Sequence, residues 1–308
     1  MEIIKHDINI NFVGRRKLAL IFSLLLIVAG MVSLVAKGGP EYGIDFSGGT
    51  LIQVKFAQAT NAKDIKKALQ DMALKGLVVQ KFEEESHEFL LRVQEASSEL
   101  EGLGQQIGTH LQKSYGEGAV EIRRVEMVGP QVGKDLRKKG LMAIVFAMIG
   151  VLIYITIRFE FRYAVGAIVA LIHDVLITLG AFSLFNKEID LPIIAAFLAI
   201  VGYSLNDTII VYDRIRENSG TKNKEEFPII INSSINETLS RTILTSGTTL
   251  LVVLALFLFG GGVIHNFAFA LLVGIGVGTY SSVFVASPVL LLWDDIKKRR
   301  HAVAEKAS

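Results

Sequence analysis

The sequence predicts an integral membrane protein in which six helices span a bilayer and one small α+β domain lies outside it. Of the 308 residues, 51% are hydrophobic, and the mean hydropathy is positive, whereas soluble domains are more polar. Six apolar segments also have about the 20-residue length that a membrane helix requires. The chain has no cysteine, which excludes disulfides and thiolate metal sites.

The first predicted membrane helix is Leu18–Ala36, which follows a cytoplasmic N-terminus of residues 1–17. Arg15, Arg16 and Lys17 precede it directly. A cleaved signal peptide has an apolar core of only about 7 to 15 residues. The longer run therefore predicts a retained signal anchor, and the arginine pair is interpreted as a positive anchor rather than an export signal.

An α+β domain is predicted between the first and second membrane helices, over residues 37–138. Alternating branched and aromatic residues predict four strands, and apolar residues at helical spacing predict a helix after the first and the third strand. Asn61 is the expected N-cap of the first of these helices. The resulting order β-α-β-β-α-β is the ferredoxin-like arrangement. The predicted elements are Thr50–Phe56, Ala62–Leu74, Leu77–Phe82, Glu88–Gln94, Ser97–Tyr115 and Ala119–Val128.

A compact bundle of the remaining five membrane helices is predicted over residues 139–293, followed by a basic cytoplasmic tail over 294–308. Short loops join these helices, and the segment Gly260–Asn266 is one of them. Glycines 274, 276 and 278 in the last helix indicate close helix packing. The helices are Leu141–Ile157, Ala164–Phe185, Leu191–Tyr212, Leu239–Phe259 and Phe267–Trp293.

Lysine and arginine in the short loops predict the orientation of the chain. Basic residues occupy the N-terminus, the loops after the second and fourth helices, and the tail, whereas the opposite loops carry only Lys187. Both termini are therefore expected in the cytoplasm and the α+β domain outside it. The basic residues counted are Lys5, Arg15, Arg16, Lys17, Arg158, Arg162, Arg214, Arg216, Lys222, Lys224, Lys297, Lys298, Arg299 and Arg300.

Asp207 is the foremost candidate functional residue, because it lies within an apolar membrane segment. A carboxylate at membrane depth costs about 2.5 to 3.5 kcal/mol on insertion scales, so such groups mark proton, ion or substrate paths. Arg214 lies two turns along the same helix, roughly 10 Å away and too far to pair with it. A partner on another helix is therefore expected.

Arg241 is the predicted partner, because it lies near the cytoplasmic start of the fifth helix. It shares a polar stripe with four threonines, which are Thr238, Thr242, Thr245 and Thr249. Threonine hydroxyls at such positions hydrogen-bond across helices. Two interpretations stay open: a functional Asp207–Arg241 couple on a hydrated path, or a purely structural pair with threonines as packing contacts.

Four further residues, Asp174, Asp213, Asn206 and Thr245, are secondary candidates. Asp174 lies near the middle of the third helix on a face of small residues, which predicts that it points into the bundle. The neighbouring His173 is either functional or a satisfied buried histidine. Asp213 is either part of the site or a surface ion pair with Arg216. The oxygens of Asn206 and Thr208 beside Asp207 could coordinate a proton or a sodium ion.

No cofactor is expected. The string GIDFSGGT at 43–50 lacks the lysine of a phosphate-binding loop and precedes a strand rather than a helix. No histidine and carboxylate cluster has metal-ligand spacing, and the basic tail directly follows a membrane helix, which favours membrane anchoring over nucleic-acid binding. Energy is therefore expected from an ion gradient or a partner.

Four motifs carry a resemblance to a known family. They are GIDFSGGT at 43–50, VGPQVGKDL at 128–136, GYSLNDTIIVYDRIREN at 202–218 and INETLSRTILTSGTTLL at 235–251. Their order and spacing resemble the SecD/SecF family of the bacterial Sec translocon, within the RND superfamily, over nearly the whole chain. The single modest outer domain is similar to the SecF branch.

The resemblance implies a half bundle of RND type that pairs with SecD into a pseudo-symmetric unit of twice its size. It also implies proton-driven assistance to the export of unfolded preproteins through the SecYEG channel, with YajC as a further partner, in the bacterial inner membrane. Residues matching Asp207 and Arg241 belong to the family's proton path. Two alternatives stay open: an RND half-transporter exporting a small molecule or lipid, and a structural scaffold of the translocon.

Overall fold

The computed structural model describes residues 9–82, 87–94, 102–221 and 225–307. Ten α-helices and four strands are numbered here in chain order within these ranges. The helices are α1 (Arg16–Ala36), α2 (Ile44–Ser47), α3 (Ala62–Ala68), α4 (Leu103–Tyr115), α5 (Pro130–Arg158), α6 (Phe161–Leu184), α7 (Leu191–Thr221), α8 (Phe227–Phe259), α9 (Gly261–Ser281) and α10 (Ser287–Ala307). The strands are β1 (Gly49–Phe56), β2 (Val78–Lys81), β3 (Glu88–Val93) and β4 (Val120–Val128).

The α+β domain has the predicted ferredoxin-like topology. Its strands form one antiparallel sheet in the order β2-β3-β1-β4. Alternate residues of β1 and β3 are buried against α3 and α4, which confirms the period-two patterns read from the sequence. The fully buried side chains of this core include Ile52, Val54, Ile65, Leu91, Ile107 and Leu111.

The two helices of this domain differ in how closely they match the prediction. The Asn61 side chain accepts a hydrogen bond from the Asp64 amide at 2.9 Å, so the N-cap of α3 is confirmed. The predicted end at Leu74 is wrong, because α3 ends at Ala68, a 3₁₀ turn follows, and Ala73 adopts a left-handed conformation at φ 48°. For α4, the predicted residues 97–101 lie outside the described residues.

Six helical segments are long and apolar enough to cross a membrane, as predicted. Several extend beyond the apolar runs, because hydropathy does not register polar turns that pack on other protein segments. The clearest case is α8, which begins at Phe227 rather than at Leu239. Its additional turns bury Ile230, Ser234 and Thr238 at four-residue spacing.

The last membrane segment is not one regular helix. A π-helical turn over Ser282–Ala286 separates α9 from α10. The Tyr212 hydroxyl donates to the Ala286 carbonyl at 3.2 Å, and the Ser287 hydroxyl donates to the Ser282 carbonyl at 3.0 Å. These donors satisfy carbonyls at the π turn. The loop predicted at Gly260–Asn266 is also mostly helical, because α9 begins at Gly261.

Helix α1 packs closely on α6 through two facing glycines. A Cβ atom added to Gly30 would lie 2.6 Å from the Gly180 Cα atom. The two backbones can approach this closely only because both residues are glycine and have no side-chain carbon. The hydroxyls of Ser33 and Ser183 hydrogen-bond at 2.8 Å one turn farther along.

A docking segment, residues 186–191 between α6 and α7, contacts the entrance to the α+β domain. The Gly43 amide donates to the Ile189 carbonyl, and the Ile189 amide donates to the Glu41 carbonyl, both at 2.8 Å. Arg92 of β3 forms an ion pair with Glu188. The domain is therefore attached to the bundle by α1, α5 and this segment.

Two glycines allow the chain to turn from α2 into β1. Gly48 and Gly49 have φ values of 75° and 123°, a region that favours glycine. A Cβ atom at Gly49 would lie 2.4 Å from the Val93 carbonyl oxygen. The glycine pair in the 43–50 motif is therefore a backbone requirement of the sheet.

Candidate functional site

Asp207 lies near the middle of α7 and is completely buried. Its Oδ2 atom accepts hydrogen bonds from the Ser246 hydroxyl of α8 at 2.9 Å and the Thr279 hydroxyl of α9 at 3.3 Å. Its Oδ1 atom is buried without a hydrogen-bond partner among the described residues. A buried carboxylate oxygen without a donor is costly, which marks it as a place where a proton or cation binds.

The structure does not bring Arg241 to Asp207. Arg241 lies on the exposed side of α8, and no ion pair joins it to Asp207 in the described part of the chain. Ser246, the α8 residue that reaches the carboxylate, lies five residues farther on, which is about 7.5 Å along a helix axis. The expected direct couple is therefore absent from this conformation, and a role for Arg241 in proton transfer stays a prediction.

The buried polar face of α8 is displaced from the predicted stripe. Thr238, Thr242 and Ser246 are buried at four-residue spacing, whereas Arg241 is exposed. The Thr242 hydroxyl is also buried without a hydrogen-bond partner among the described residues. Sequence reasoning missed Ser246, although the regular spacing of hydroxyl residues at 238, 242 and 246 was a signal that could have found it.

Thr245 and Asn206 do not reach the carboxylate. The Thr245 hydroxyl donates to the Arg241 carbonyl of its own helix at 2.9 Å, and the Tyr203 hydroxyl donates to the Thr245 carbonyl at 3.1 Å. Asn206 is exposed. Thr208 is buried, but its hydroxyl donates to the Ser204 carbonyl at 3.1 Å.

Asp213 takes the ion-pair arrangement. Its carboxylate accepts from Arg216 at 3.1 Å and from Arg158 of α5 at 3.5 Å. The Asp213 side chain is 43% exposed, in contrast to Asp207. This contact favours a structural role that joins α5 and α7 at the end of the bundle opposite the α+β domain.

Asp174 points into the bundle, as the small-residue face of its helix predicted. It is 1% exposed, and its Oδ2 atom accepts from the Ser204 hydroxyl of α7 at 2.6 Å and the Ser281 hydroxyl of α9 at 2.8 Å. Its Oδ1 atom lies 2.8 Å from Nδ1 of His173. His173 is 6% exposed and is a buried partner of Asp174.

The two buried carboxylates meet the same pair of helices. Ser204, which donates to Asp174, and Asp207 lie one turn apart on α7. Ser281, which donates to Asp174, and Thr279, which donates to Asp207, lie two residues apart on α9. A Cβ atom at Gly278 would lie 2.8 Å from the Ser204 Cβ atom, so this glycine is required for the close approach. Gly274 meets Ile200 in the same way, whereas Gly276 meets open space.

The chemistry available at both carboxylates is proton or cation binding by oxygen atoms. Hydroxyl groups can donate to an ionised carboxylate or accept from a protonated one. The described residues include no group of three histidine, cysteine or acidic side chains placed to hold a metal ion.

Comparisons with known proteins agree with this architecture. The family described as "Protein export membrane protein SecD/SecF, C-terminal" matches residues 107–296, and the SecD/SecF GG motif matches residues 32–60. The protein translocase subunit SecF of Magnetococcus marinus is 47% identical over 100% of this chain and 99% of its own length. The SecF subunit of Escherichia coli O157:H7 is 41% identical over 92% of this chain and 86% of its own length.

The structural comparison gives the same result. The crystal structure of SecDF, a translocon-associated membrane protein from Thermus thermophilus, superimposes with a TM-score of 0.85 at 37% identity and covers 95% of this chain. This chain spans 40% of that SecDF chain. The chain therefore belongs to the SecD/SecF family of protein export membrane proteins, in which its full-length relatives are SecF translocase subunits.

Proposed function

We propose that this chain uses the proton-motive force, together with SecD, to promote preprotein translocation through the SecYEG channel. The observation that carries the proposal is Asp207, a fully buried carboxylate in a membrane helix with one oxygen that lacks a donor among the described residues. Its relatives are translocase subunits, and the SecDF structure is described as translocon-associated. The names of these relatives support a role in translocation, and the buried carboxylate supports proton binding as the source of energy.

Proton binding to Asp207 removes a charge that the apolar surroundings disfavour. The ionised group attracts the hydroxyl hydrogens of Ser246 and Thr279, whereas the neutral acid can itself donate. The change therefore alters contacts between α7 and both α8 and α9. A difference in proton affinity between two packings of these helices would shift the population from one to the other.

Movement in the bundle can reach the α+β domain by three attachments. Helix α1 enters the domain and α5 leaves it, and the docking segment contacts it between α6 and α7. The loop charges support a cytoplasmic location for both termini and an extracytoplasmic location for the domain. In this orientation the domain would meet the preprotein as it leaves the channel, with the inner membrane as the site of action.

Arg241 enters this cycle as the cation of a second conformation. The exposed Arg241 lies about 7.5 Å along α8 from Ser246, the contact of Asp207 in the present structure. Because each residue turns a helix by about 100°, the exchange of Ser246 for Arg241 would require α8 to shift by about 7.5 Å and to rotate by roughly 140° about its axis. An ionised Asp207 would favour the arginine contact, and a protonated Asp207 would favour the hydroxyl contact.

The proposal is tested by Asp207→Asn, which keeps the side-chain shape and removes proton binding. We expect the variant to insert normally and to lose the gradient-dependent part of preprotein transport in inverted membrane vesicles that also contain SecD and SecYEG. Asp294→Asn is the matched control, because Asp294 pairs with Lys298 on α10 at 2.8 Å and does not contact the buried carboxylates. Normal transport by the Asp207 variant would overturn the proton role and favour the scaffold alternative.

Replacing Asp207 and Arg241 together separates a proton path from a structural pair. If Asp207 and Arg241 pair only structurally in the second conformation, removal of both can be nearly neutral, so a structural pair predicts recovery in the double variant. The proton path predicts stable insertion without recovery. Repeating the assay with a sodium gradient alone in place of the proton gradient identifies the coupling ion, and purification of the chain with its partners tests the association with SecD against the half-transporter alternative.

A further inference from the structure

A buried chain of hydrogen bonds connects Asp174 to helix α1 through His173. Nδ1 of His173 lies 2.8 Å from Asp174 Oδ1, and Nε2 lies 3.0 Å from the Ser23 hydroxyl of α1. The Ser23 hydroxyl lies 3.1 Å from the Tyr280 hydroxyl of α9, which donates to the Ala19 carbonyl of α1 at 2.7 Å. The Tyr280 ring also stacks on the His173 imidazole, with the ring centroids 6.1 Å apart.

The number of hydrogens in this chain determines its protonation state. Four contacts, from Asp174 to the Ala19 carbonyl, each require one hydrogen. A neutral imidazole, the Ser23 hydroxyl and the Tyr280 hydroxyl provide only three. If Asp174 is ionised and His173 is neutral with its hydrogen on Nδ1, one contact must therefore lack a hydrogen.

One additional proton satisfies every contact. It resides either on the imidazole, which then donates from both nitrogens, or on Asp174, which then donates to Nδ1. In both arrangements Nε2 carries a hydrogen and donates to Ser23, Ser23 donates to Tyr280, and Tyr280 donates to Ala19. The other Asp174 oxygen is occupied by Ser204 and Ser281 in both cases.

We propose that His173 and Asp174 form a second proton-binding site, which holds one proton in this conformation and whose release removes one of the two hydrogen bonds that join α9 to α1. When the proton leaves, the only imidazole hydrogen moves to Nδ1 beside the carboxylate, and Ser23 donates to Nε2. Tyr280 then has one hydrogen for two acceptors, Ser23 and the Ala19 carbonyl. One of the two links between α9 and α1 is lost.

Among the described residues, few other titratable groups face His173 and Asp174. The polar contacts come from Ser23 on α1, Ser204 on α7, and Tyr280 and Ser281 on α9. Tyr280 is the titratable member of this set, and the ion pair of Asp174 within the described residues is with His173. The other membrane carboxylate on these helices, Asp207, lies one turn beyond Ser204.

Loss of a link at Ser23 affects one half of α1 more than the other. The half nearer the α+β domain is held to α6 by the Gly30–Gly180 contact and the Ser33–Ser183 hydrogen bond. Loss of one link to α9 would therefore loosen the other half of α1, while Ser23 keeps its hydrogen bond to His173 of α6. Proton release at this site would be transmitted to the α+β domain through α1, separately from α7 and α8. The role of this step in export rests on the proposed function.

The protonation state is tested on the full chain in lipid nanodiscs by nitrogen-15 NMR of histidine. Replacing the five other histidines, at 6, 87, 110, 265 and 301, by glutamine leaves His173 as the single labelled residue. We expect a hydrogen on Nε2 at neutral pH together with either a hydrogen on Nδ1 or a protonated Asp174 carboxyl, which the carbon-13 shift of the labelled aspartate reports. An Nε2 atom without a hydrogen at neutral pH would overturn the proposal. Should the five-fold variant fail to fold, the wild-type spectrum compared with that of His173→Gln provides the same assignment.

The link to α1 is tested by hydrogen exchange of the α1 amides. Raising the pH until the Nε2 hydrogen is lost should speed α1 exchange in the wild type relative to Tyr280→Phe, in which both links are already absent. Tyr203→Phe is the matched control, because its hydroxyl contacts α8 rather than α1. A ratio of wild-type to Tyr280→Phe exchange that does not change as the hydrogen is lost would refute the coupling.

The two proposals can fail separately. Asp207→Asn should leave the His173 spectrum unchanged, because Asp207 does not contact the chain of hydrogen bonds. If Nε2 lacks its hydrogen in a chain that still supports gradient-driven export, the second site is wrong and the proposed function stands. If Nε2 carries its hydrogen and the pair holds the additional proton while Asp207→Asn exports normally, the second site stands and the proton role of Asp207 is wrong.

Discussion

Asp190, at the end of the docking segment, makes the attachment of the α+β domain sensitive to pH. Its carboxylate accepts a hydrogen bond from the Ile193 amide at 3.2 Å at the start of α7. Burial raises the pKa of Asp190 from 3.8 to about 6, and the nearby carboxylates of Asp45 and Glu188 add to the increase, whereas the Ile193 amide opposes it. Asp45 itself accepts from the Leu191 amide at 2.9 Å across the same contact.

The sign of the effect follows from the difference in bound protons. Between pH 3.8 and about 6 the docked state retains the Asp190 proton, whereas an open state with an ordinary pKa has released it. Docking is therefore strongest below this window, weakens as the pH rises through it, and levels off above it. At 1.36 kcal/mol per pKa unit the full effect is about 3 kcal/mol, or on the order of a hundredfold in the opening equilibrium.

The perturbation that tests this is Asp190→Asn, which keeps an oxygen to accept from the Ile193 amide and removes the charge. Hydrogen exchange is measured at the amides of Gly43, Ile189 and Leu191, which hydrogen-bond across the contact. We expect the wild type and the variant to exchange alike near pH 4. Above pH 6 the wild type should open more often, by up to about a hundredfold.

Comparison of the wild type with Asp190→Asn at each pH removes the intrinsic pH dependence of amide hydrogen exchange. Asp213→Asn serves as the control, because it removes a carboxylate from α7, the helix that follows Asp190, at the end away from the domain. Equal exchange of wild type and Asp190→Asn above pH 6 would refute the argument, as would slower exchange in the wild type. A difference of the same size in Asp213→Asn would show that charge anywhere on α7 is sufficient.

Two further predictions concern packing. Gly180→Val should force α1 away from α6, because its Cβ would lie 2.8 Å from the Gly30 Cα atom. We expect the free energy of unfolding to fall by about 1–3 kcal/mol, measured as a lower thermal midpoint. The control Gly202→Val, whose Cβ meets nothing within 4 Å, should show only the smaller cost of valine in a helix. The fragment 42–128 should fold alone with a cooperative urea transition, and Leu91→Ala should destabilise it by about 2–5 kcal/mol; a fragment without a cooperative transition would contradict this prediction.

The elements that the sequence predicted well are those whose pattern depends on one interaction. Strands β1 and β3 alternate because one face is buried, and six apolar runs exist because a bilayer excludes polar groups. The first turns of α8 were missed because they pack through mixed residues such as Ser234 and Thr238, which are polar on a hydropathy scale. The early end of α3 depends on the left-handed Ala73, a residue whose type does not signal that conformation.

The candidate site was predicted in part for a similar reason. A carboxylate in an apolar run is visible without a structure, so Asp207 and Asp174 were found. Their donors Ser204, Ser246 and Ser281 were not, because serine is common in membrane helices and its partner depends on helix register. The sequence prediction paired Arg241 with Asp207 from their estimated depths in the membrane alone. The register of α8 against α7 places Ser246 beside Asp207 instead.

Both buried carboxylates are bound by hydroxyl groups rather than by arginine or lysine, and this choice suits a group that must gain and lose a proton. A permanent cation would hold a carboxylate in the ionised state and would be left unpaired, at a cost of several kcal/mol, when the carboxylate is protonated. Hydroxyls at Ser204, Ser246 and Thr279 can rotate and exchange donor for acceptor, so either protonation state can be satisfied with little movement of heavy atoms. The proton is then the charge that varies at each site. At His173 its loss is transmitted through Tyr280, because the single hydroxyl hydrogen of Tyr280 cannot be donated to both Ser23 and the Ala19 carbonyl.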